Sequence, residues 1–140
     1  IPLLHDKRLE YSFSGLKNQV RMEIEKAGEI SQSVQENIAA SFQKTAIAHI
    51  MDKLSKIYEM KKWQNFAVVG GASANLALRT KLENLANKYG STLHLAPLKF
   101  CSDNAAMIAR AGVYKYNKKE FINYKNLDIV PHLNYENFKI

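Results

Sequence analysis

The residues with the types and spacing to do chemistry fall in two short stretches, Gly70-Gly-Ala-Ser-Ala-Asn75 and Cys101-Ser-Asp-Asn-Ala-Ala-Met-Ile108. Paired glycines carry no side chains, permit positive φ and let another molecule touch the main chain. Helix-start amides behind them make an anion or nucleotide site. Asn75 adds a carboxamide that donates and accepts at once, as a ribose or a purine edge requires. The stretch lacks the third spaced glycine of a dinucleotide fingerprint and the Gly-Lys-Ser/Thr ending of a phosphate loop. By spacing alone a plain strand-to-helix turn and a nucleotide loop both stay open, since α/β sheets hold ligands at the carboxyl ends of strands.

In the second stretch Asp103 has two readings. It is either a cap or first-turn carboxylate favoured by the helix dipole, or a hard oxygen ligand to a metal at the sheet edge. Cys101 reads as buried filler or backbone support, because no histidine or acid is spaced to make it a nucleophile. Lys17, just after Ser14-Gly15, faces either a phosphate or solvent. His49 reads as a packed or surface histidine, since no second metal-type residue falls at i+4.

The elements that must position these residues follow from periodicity. Phe66 to Val69 is a continuous apolar run of strand length, the pattern of a parallel strand covered on both faces, and the glycines end it. The next helix carries Asn75 in its first turn, presents Leu78, Leu82, Leu85 and Tyr89 on one face, and stops at Gly90. Thr92-Leu-His-Leu95 is a second strand. Strand, helix and strand make a βαβ unit, so the two strands run parallel and their tips share one edge. Ser102 and Asp103 stand where another helix begins, with Ala105, Ala106, Met107 and Ile108 as its body.

Upstream, Glu10-Tyr-Ser-Phe-Ser14 alternates polar and apolar residues, which predicts a short strand with Tyr11 and Phe13 inward. Leu16, Val20, Ile24 and Ala27 form a helical stripe that Gly28 stops. Ser33-Val-Gln-Glu36 has the capping-box form and predicts a long helix buried along Ile47, Ile50, Met51, Leu54, Ile57 and Tyr58. From Asn117 onward the pattern weakens, and Pro131 forbids a continuous helix, which predicts an irregular tail.

With 140 residues, 46% of them hydrophobic, the chain has enough apolar side chains for one compact domain with a core. No apolar run is long enough to span a bilayer, so no membrane partner is expected. A single cysteine forms no internal disulfide and fits a reducing compartment. The net charge of +7 favours a polyanion such as RNA, though only weakly, because many of the lysines fall on solvent faces of helices. The chain starts at Ile1 with no signal peptide before it, and a piece of a longer polypeptide is expected.

Taken together, Tyr11-Ser-Phe-Ser-Gly-Leu-Lys17, Gly70-Gly-Ala-Ser-Ala-Asn75 and Cys101-Ser-Asp-Asn-Ala-Ala-Met-Ile-Ala109 resemble the carboxyl-terminal half of the tRNA threonylcarbamoyladenosine transferase family, once labelled O-sialoglycoprotein endopeptidases. The resemblance covers the chain up to about Tyr116 and rests on three motifs in matching order and spacing. It implies an α/β fold that is half of a two-domain actin, sugar kinase and Hsp70 (ASKHA) type, with a mixed sheet flanked by helices. Residues 1–116 would be the second subdomain and 117–140 a tail packed on it, with the amino-terminal half outside this chain.

The resemblance also implies transfer of threonylcarbamoyl from threonylcarbamoyl-AMP to N6 of the adenosine beside the anticodon. The setting would be cytoplasmic, with tRNA and accessory subunits as partners and one iron or zinc per full-length subunit. Carried over by position, Asn75, Gly70 and Gly71 bind the adenylate and Asp103 binds the metal, whose remaining ligands lie elsewhere. No catalytic residue is assigned, Lys17 included. The family's paired metal histidines belong to its first half, and His5, His49, His94 and His132 are too scattered to replace them. The isolated chain is therefore expected to be inactive and to bind metal weakly.

Three rivals remain. A metal-dependent O-sialoglycoprotein endopeptidase is opposed by the absence of His-Glu-x-x-His and of a Ser, His and Asp set. A non-catalytic partner subunit of the same fold would have no need of Asp103. A small-molecule kinase of the superfamily would need its catalytic acid and phosphate loop in the other half.

Overall fold

The computed structural model describes residues 8–129, so His5, Pro131 and His132 lie outside the described residues. The chain divides into two compact units, Ile1–Ser102 and Asp103–Ile140. The first contains α1 (Ser14–Ala27), α2 (Gln32–Met60), β1 (Asn65–Val68), α3 (Leu76–Tyr89) and β2 (Thr92–Leu95). The second contains α4 (Ala105–Asn117) and a short 3-10 turn, Tyr124–Asn126.

The βαβ unit forms as its periodicity predicts. β1 and β2 pair in parallel, in register from Asn65 opposite Thr92 to Val68 opposite Leu95. Among the described residues the sheet has these two strands alone, smaller than the mixed sheet the resemblance implies. The helix between them buries Leu78, Leu82, Leu85 and Ala86, one apolar stripe at helical spacing. Each such leucine contributes roughly 1.5–3 kcal/mol by leaving water. Tyr89 extends the stripe by stacking on the buried Tyr58 ring at 4.8 Å, and Phe66 meets Tyr58 edge-on at 6.0 Å. These three rings tie the end of α2 to β1 and α3. Gly90 ends α3 in the left-handed region, φ 66° and ψ 31°, as its position predicts.

Four expectations give way to the structure. β1 is not covered on both faces: Phe66 and Val68 are half-buried, Ala67 is exposed, and Val69, past the strand end, is 77% exposed. A strand reads as wholly apolar when layers cover both sides, and among the described residues one side of this sheet has no cover. No strand forms at Glu10 to Ser14; the sheet of the described residues is β1 and β2 alone. Instead Tyr11 and Phe13 place their rings edge-on against His49, at 5.7 and 5.4 Å, and Ser12 N–H donates to His49 Nε2 at 3.3 Å.

The long helix is capped two residues earlier than the Ser33 and Glu36 pattern predicts. Ser31 has the extended backbone a cap requires, φ −68° and ψ 158°, and its Oγ accepts from Val34 N–H. Glu36 is taken instead by Gln32 Nε2, one turn before it, at 2.9 Å. The buried line of α2 is also different. Ile47, Ile50, Met51, Leu54 and Ile57 are half-buried, whereas His49 and Lys53 are fully buried at 0% exposure. A buried ammonium needs a partner, and Lys53 Nζ lies 3.7 Å from the Asp52 carboxylate, which Lys56 also holds at 2.8 Å. α1 stops at Gly28 with φ 63°, as predicted.

In the second unit every described residue of α4 is exposed, Met107, Ile108, Val113 and Tyr114 included. Past its end Phe121 lies against Tyr116 and Glu120 is bonded to Lys115 at 2.9 Å, and the 3-10 turn Tyr124–Asn126 follows.

Candidate functional site

β1 ends at Val68, and two residues later Gly70 turns the chain with φ 88° and ψ 169°, a conformation essentially confined to glycine. The segment after it is not yet α-helix. Gly71–Ala74 forms a 3-10 turn, and α3 starts only at Leu76. Asn75 is therefore the cap of α3 rather than a first-turn residue: its backbone is extended, and its Oδ1 accepts from Leu78 N–H at 3.0 Å. Its Nδ2 donates to Gln43 Oε1 on α2 at 2.8 Å. One proton on Nδ2 is left for a ligand.

The two glycines differ in what holds them to glycine. At Gly70 the positive φ is sufficient reason. At Gly71 φ lies outside that range, and a Cβ built there meets nothing within 4 Å. Among the described residues nothing demands glycine at Gly71, and the space beside it is open.

Beneath the turn, Ser73 is buried, its Oγ donates to Gly70 O at 2.7 Å and lies 3.3 Å from Cys101 Sγ. Arg79, in the first turns of α3, donates to Ser73 O at 2.5 Å, to Ala96 O at 2.6 Å and to Cys101 Sγ at 3.2 Å. Cys101 is buried, in the supporting role its sequence suggests. Beside the loop, a groove of about 590 Å³ between α2 and α3 is lined by Gln43, Lys44, Ile47, Met51, Ala77 and Lys81, among others.

Gln43 and Arg79 stand outside the motifs quoted above, and Ser73 stands in one of them without a role of its own. Arg79 had a usable signal: a helical side chain leans toward the helix amino terminus, so an arginine four residues after the cap covers the loop before it. Gln43 had none, being 32 residues away in the chain.

Asp103 opens the second unit, exposed and outside regular structure. It does not cap α4. Asn104 does, with extended backbone and its Oδ1 accepting from Met107 N–H at 3.2 Å. Asp103 stands one residue too early, and its carboxylate is bonded to no described residue. An exposed, uncommitted hard oxygen fits a metal as a single ligand. Among the described residues no three His, Cys, Asp or Glu side chains are grouped to complete such a site. The structure thus brings Gly70, Gly71 and Asn75 into one loop, while Asp103 belongs to the other unit.

Lys17 is exposed in the first turn of α1, along an apolar groove with Val20, Ile24, Ile38 and Phe42. His94 is exposed and its Nε2 lies 3.0 Å from Asn65 Oδ1. His49 is packed, as expected. Burial, aided by the charge of Lys53, holds its imidazole below the ordinary value of 6.5. No described helix is long and apolar enough to cross a membrane.

Fold and loop together define an α/β chain with an open, backbone-lined loop at the carboxyl edge of a parallel sheet. A sequence model of the tRNA N6-adenosine threonylcarbamoyltransferase family matches residues 1–110. The chain belongs to that family.

Three relatives bear the same name. One, of Campylobacter hominis, is 99% identical over 140 residues, which cover 100% of this chain and 42% of that protein. A second, of Campylobacter concisus, is 57% identical over 140 residues, again 100% of this chain and 42% of the relative. A third, of Campylobacter fetus, is 59% identical over 131 residues, 94% of this chain and 39% of the relative. The chain therefore spans about 42% of the length of the relatives it covers in full.

Proposed function

We propose that the full-length protein transfers the threonylcarbamoyl group from threonylcarbamoyl-AMP to N6 of the adenosine beside the anticodon of tRNA. In that reaction the N6 amine attacks the carbamoyl carbon and loses a proton. The bond from that carbon to the phosphate oxygen breaks, and AMP leaves with the electron pair. In this reading the chain is the carboxyl-terminal half of an ASKHA-type enzyme, with Gly70, Gly71 and Asn75 on the adenylate and Asp103 as one ligand to an iron or zinc. The family's paired histidines would complete the metal set from the portion outside these 140 residues. A metal held there would polarise the carbamoyl oxygen. The setting would be cytoplasmic, with accessory subunits as further partners.

The observation that carries this reading is Gly71, where open space stands at a glycine that the backbone does not require. The neighbouring groove supports it: apolar walls with the ammonium groups of Lys44 and Lys81 suit a ligand with an aromatic part and an anionic part.

The test uses the full-length protein and two variants chosen from the geometry. Asn75→Ser keeps a capping oxygen for Leu78 N–H but removes the amide donor, so it should hold stability and weaken AMP binding without changing metal content. Asp103→Ala removes an exposed carboxylate with no described bond, so it should shift stability by less than about 0.5 kcal/mol while metal and transfer are lost. Full metal content in Asp103→Ala, or full AMP affinity in Asn75→Ser, removes that residue from the site.

A further inference from the structure

Both strand tips at the carboxyl edge of the sheet are held by one side chain. β1 leads into Gly70 and the 3-10 turn, β2 leads into Ala96, and the Arg79 guanidinium bonds to Ser73 O and Ala96 O. A third contact to Cys101 Sγ, itself reached by the buried Ser73 hydroxyl, joins the same knot. The hydroxyl also returns to Gly70 O, so the glycine's carbonyl is fixed from below. Among the described residues no carboxylate pairs with Arg79, and its positive charge sits uncompensated under the loop. A planar fork is needed for this geometry. It spans two carbonyls at once, which an ammonium on a flexible stem does not reproduce.

We propose that Arg79 is a positioning residue for the adenylate: it acts through Ser73 and Ala96 to hold the Gly70–Asn75 loop in its binding shape, and it lends that loop a fixed positive charge for the phosphate. The proposal rests on the adenylate reading of the loop. A rigid loop has already met its ordering cost before the ligand arrives. Loosening it should raise the substrate requirement without slowing the chemical step once substrate is bound.

The experiment uses full-length protein with Arg79→Lys, which keeps the charge and loses the fork, and Arg79→Gln, which keeps one NH2 group and loses the charge. AMP is the binding probe, and transfer to tRNA is followed at varied threonylcarbamoyl-AMP. Arg79→Lys should weaken AMP about tenfold and raise KM for threonylcarbamoyl-AMP by a similar factor. The KM for tRNA should be unchanged and kcat should hold within about twofold. Arg79→Gln should lose more. A merely structural defect lowers the active fraction instead, so a fall in kcat with KM unchanged overturns the proposal, as does unchanged AMP affinity in both variants.

Asn75→Ser separates the two levels of the argument. If it weakens AMP while both Arg79 variants do not, only the positioning role fails. If Asn75→Ser and both Arg79 variants bind AMP like the unsubstituted protein, the adenylate reading of the loop fails with it.

Discussion

Replacing each member of the glycine pair by alanine should have opposite consequences for stability and a shared one for binding. At Gly70 the backbone holds φ 88° and ψ 169°, a region that costs an L-residue about 1–3 kcal/mol. No clash adds to that, since a Cβ there meets nothing within 4 Å. At Gly71 the backbone is 3-10 helical with no positive φ, and its Cβ would also enter open space. Alanine at that position should leave the full-length protein as stable as before or raise stability by about 0.4–1 kcal/mol, because the unfolded chain loses freedom. If the adenylate lies against this backbone, the same methyl occupies ligand space. A tenfold loss of affinity corresponds to about 1.4 kcal/mol, and at least that is expected. The assay pairs thermal unfolding with calorimetric titration of AMP. Gly70→Ala should lose both stability and affinity; Gly71→Ala should lose affinity alone. A Gly71→Ala protein that binds AMP as tightly as the unsubstituted protein would refute the reasoning, because nothing among the described residues asks for glycine there.

Two further predictions concern stability. His49 is buried with its pKa held below 6.5, so below that pH the unfolded chain takes up a proton that the folded chain refuses. Its contribution is complete above pH 6.5 and is lost as pH falls from there through the lower folded value; the thermal midpoint of the full-length protein should drop over that window, less steeply in His49→Gln. An equal slope in the variant assigns the acid sensitivity elsewhere. Lys119, just past the end of α4, takes φ 57° while Glu120 N–H returns to Lys115 O at 3.0 Å, a helix ending that usually employs glycine. Lys119→Gly should raise stability by about 1 kcal/mol, read as a higher thermal midpoint, and a lowered midpoint contradicts it.

What the chain spelled out by itself was local. Gly28 and Gly90 mark helix ends because only glycine enters the left-handed region freely. Leu78, Leu82 and Leu85 mark a buried helical face because 3.6-residue periodicity lies in the order of the letters. The βαβ unit and the glycine-led loop with Asn75 were legible for the same reason. Cap positions were legible only to within one or two residues: Ser31 rather than Ser33, and Asn104 rather than Asp103. Several capping residues stand side by side at each start, and the one that caps is the one whose backbone is extended.

Tertiary structure decided the rest, through contacts whose partners are remote in sequence. His49 is covered by Tyr11 and Phe13, and its bond to Ser12 spans 37 residues; Asn75 is oriented by Gln43 across 32; Arg79 reaches Cys101 across 22. None of these leaves a periodic trace, because a hydrogen bond between distant residues depends on where the backbone delivers its two ends. The same holds for Val69, apolar in sequence yet 77% exposed: burial belongs to the layer that packs on a strand, and a strand does not encode its own cover.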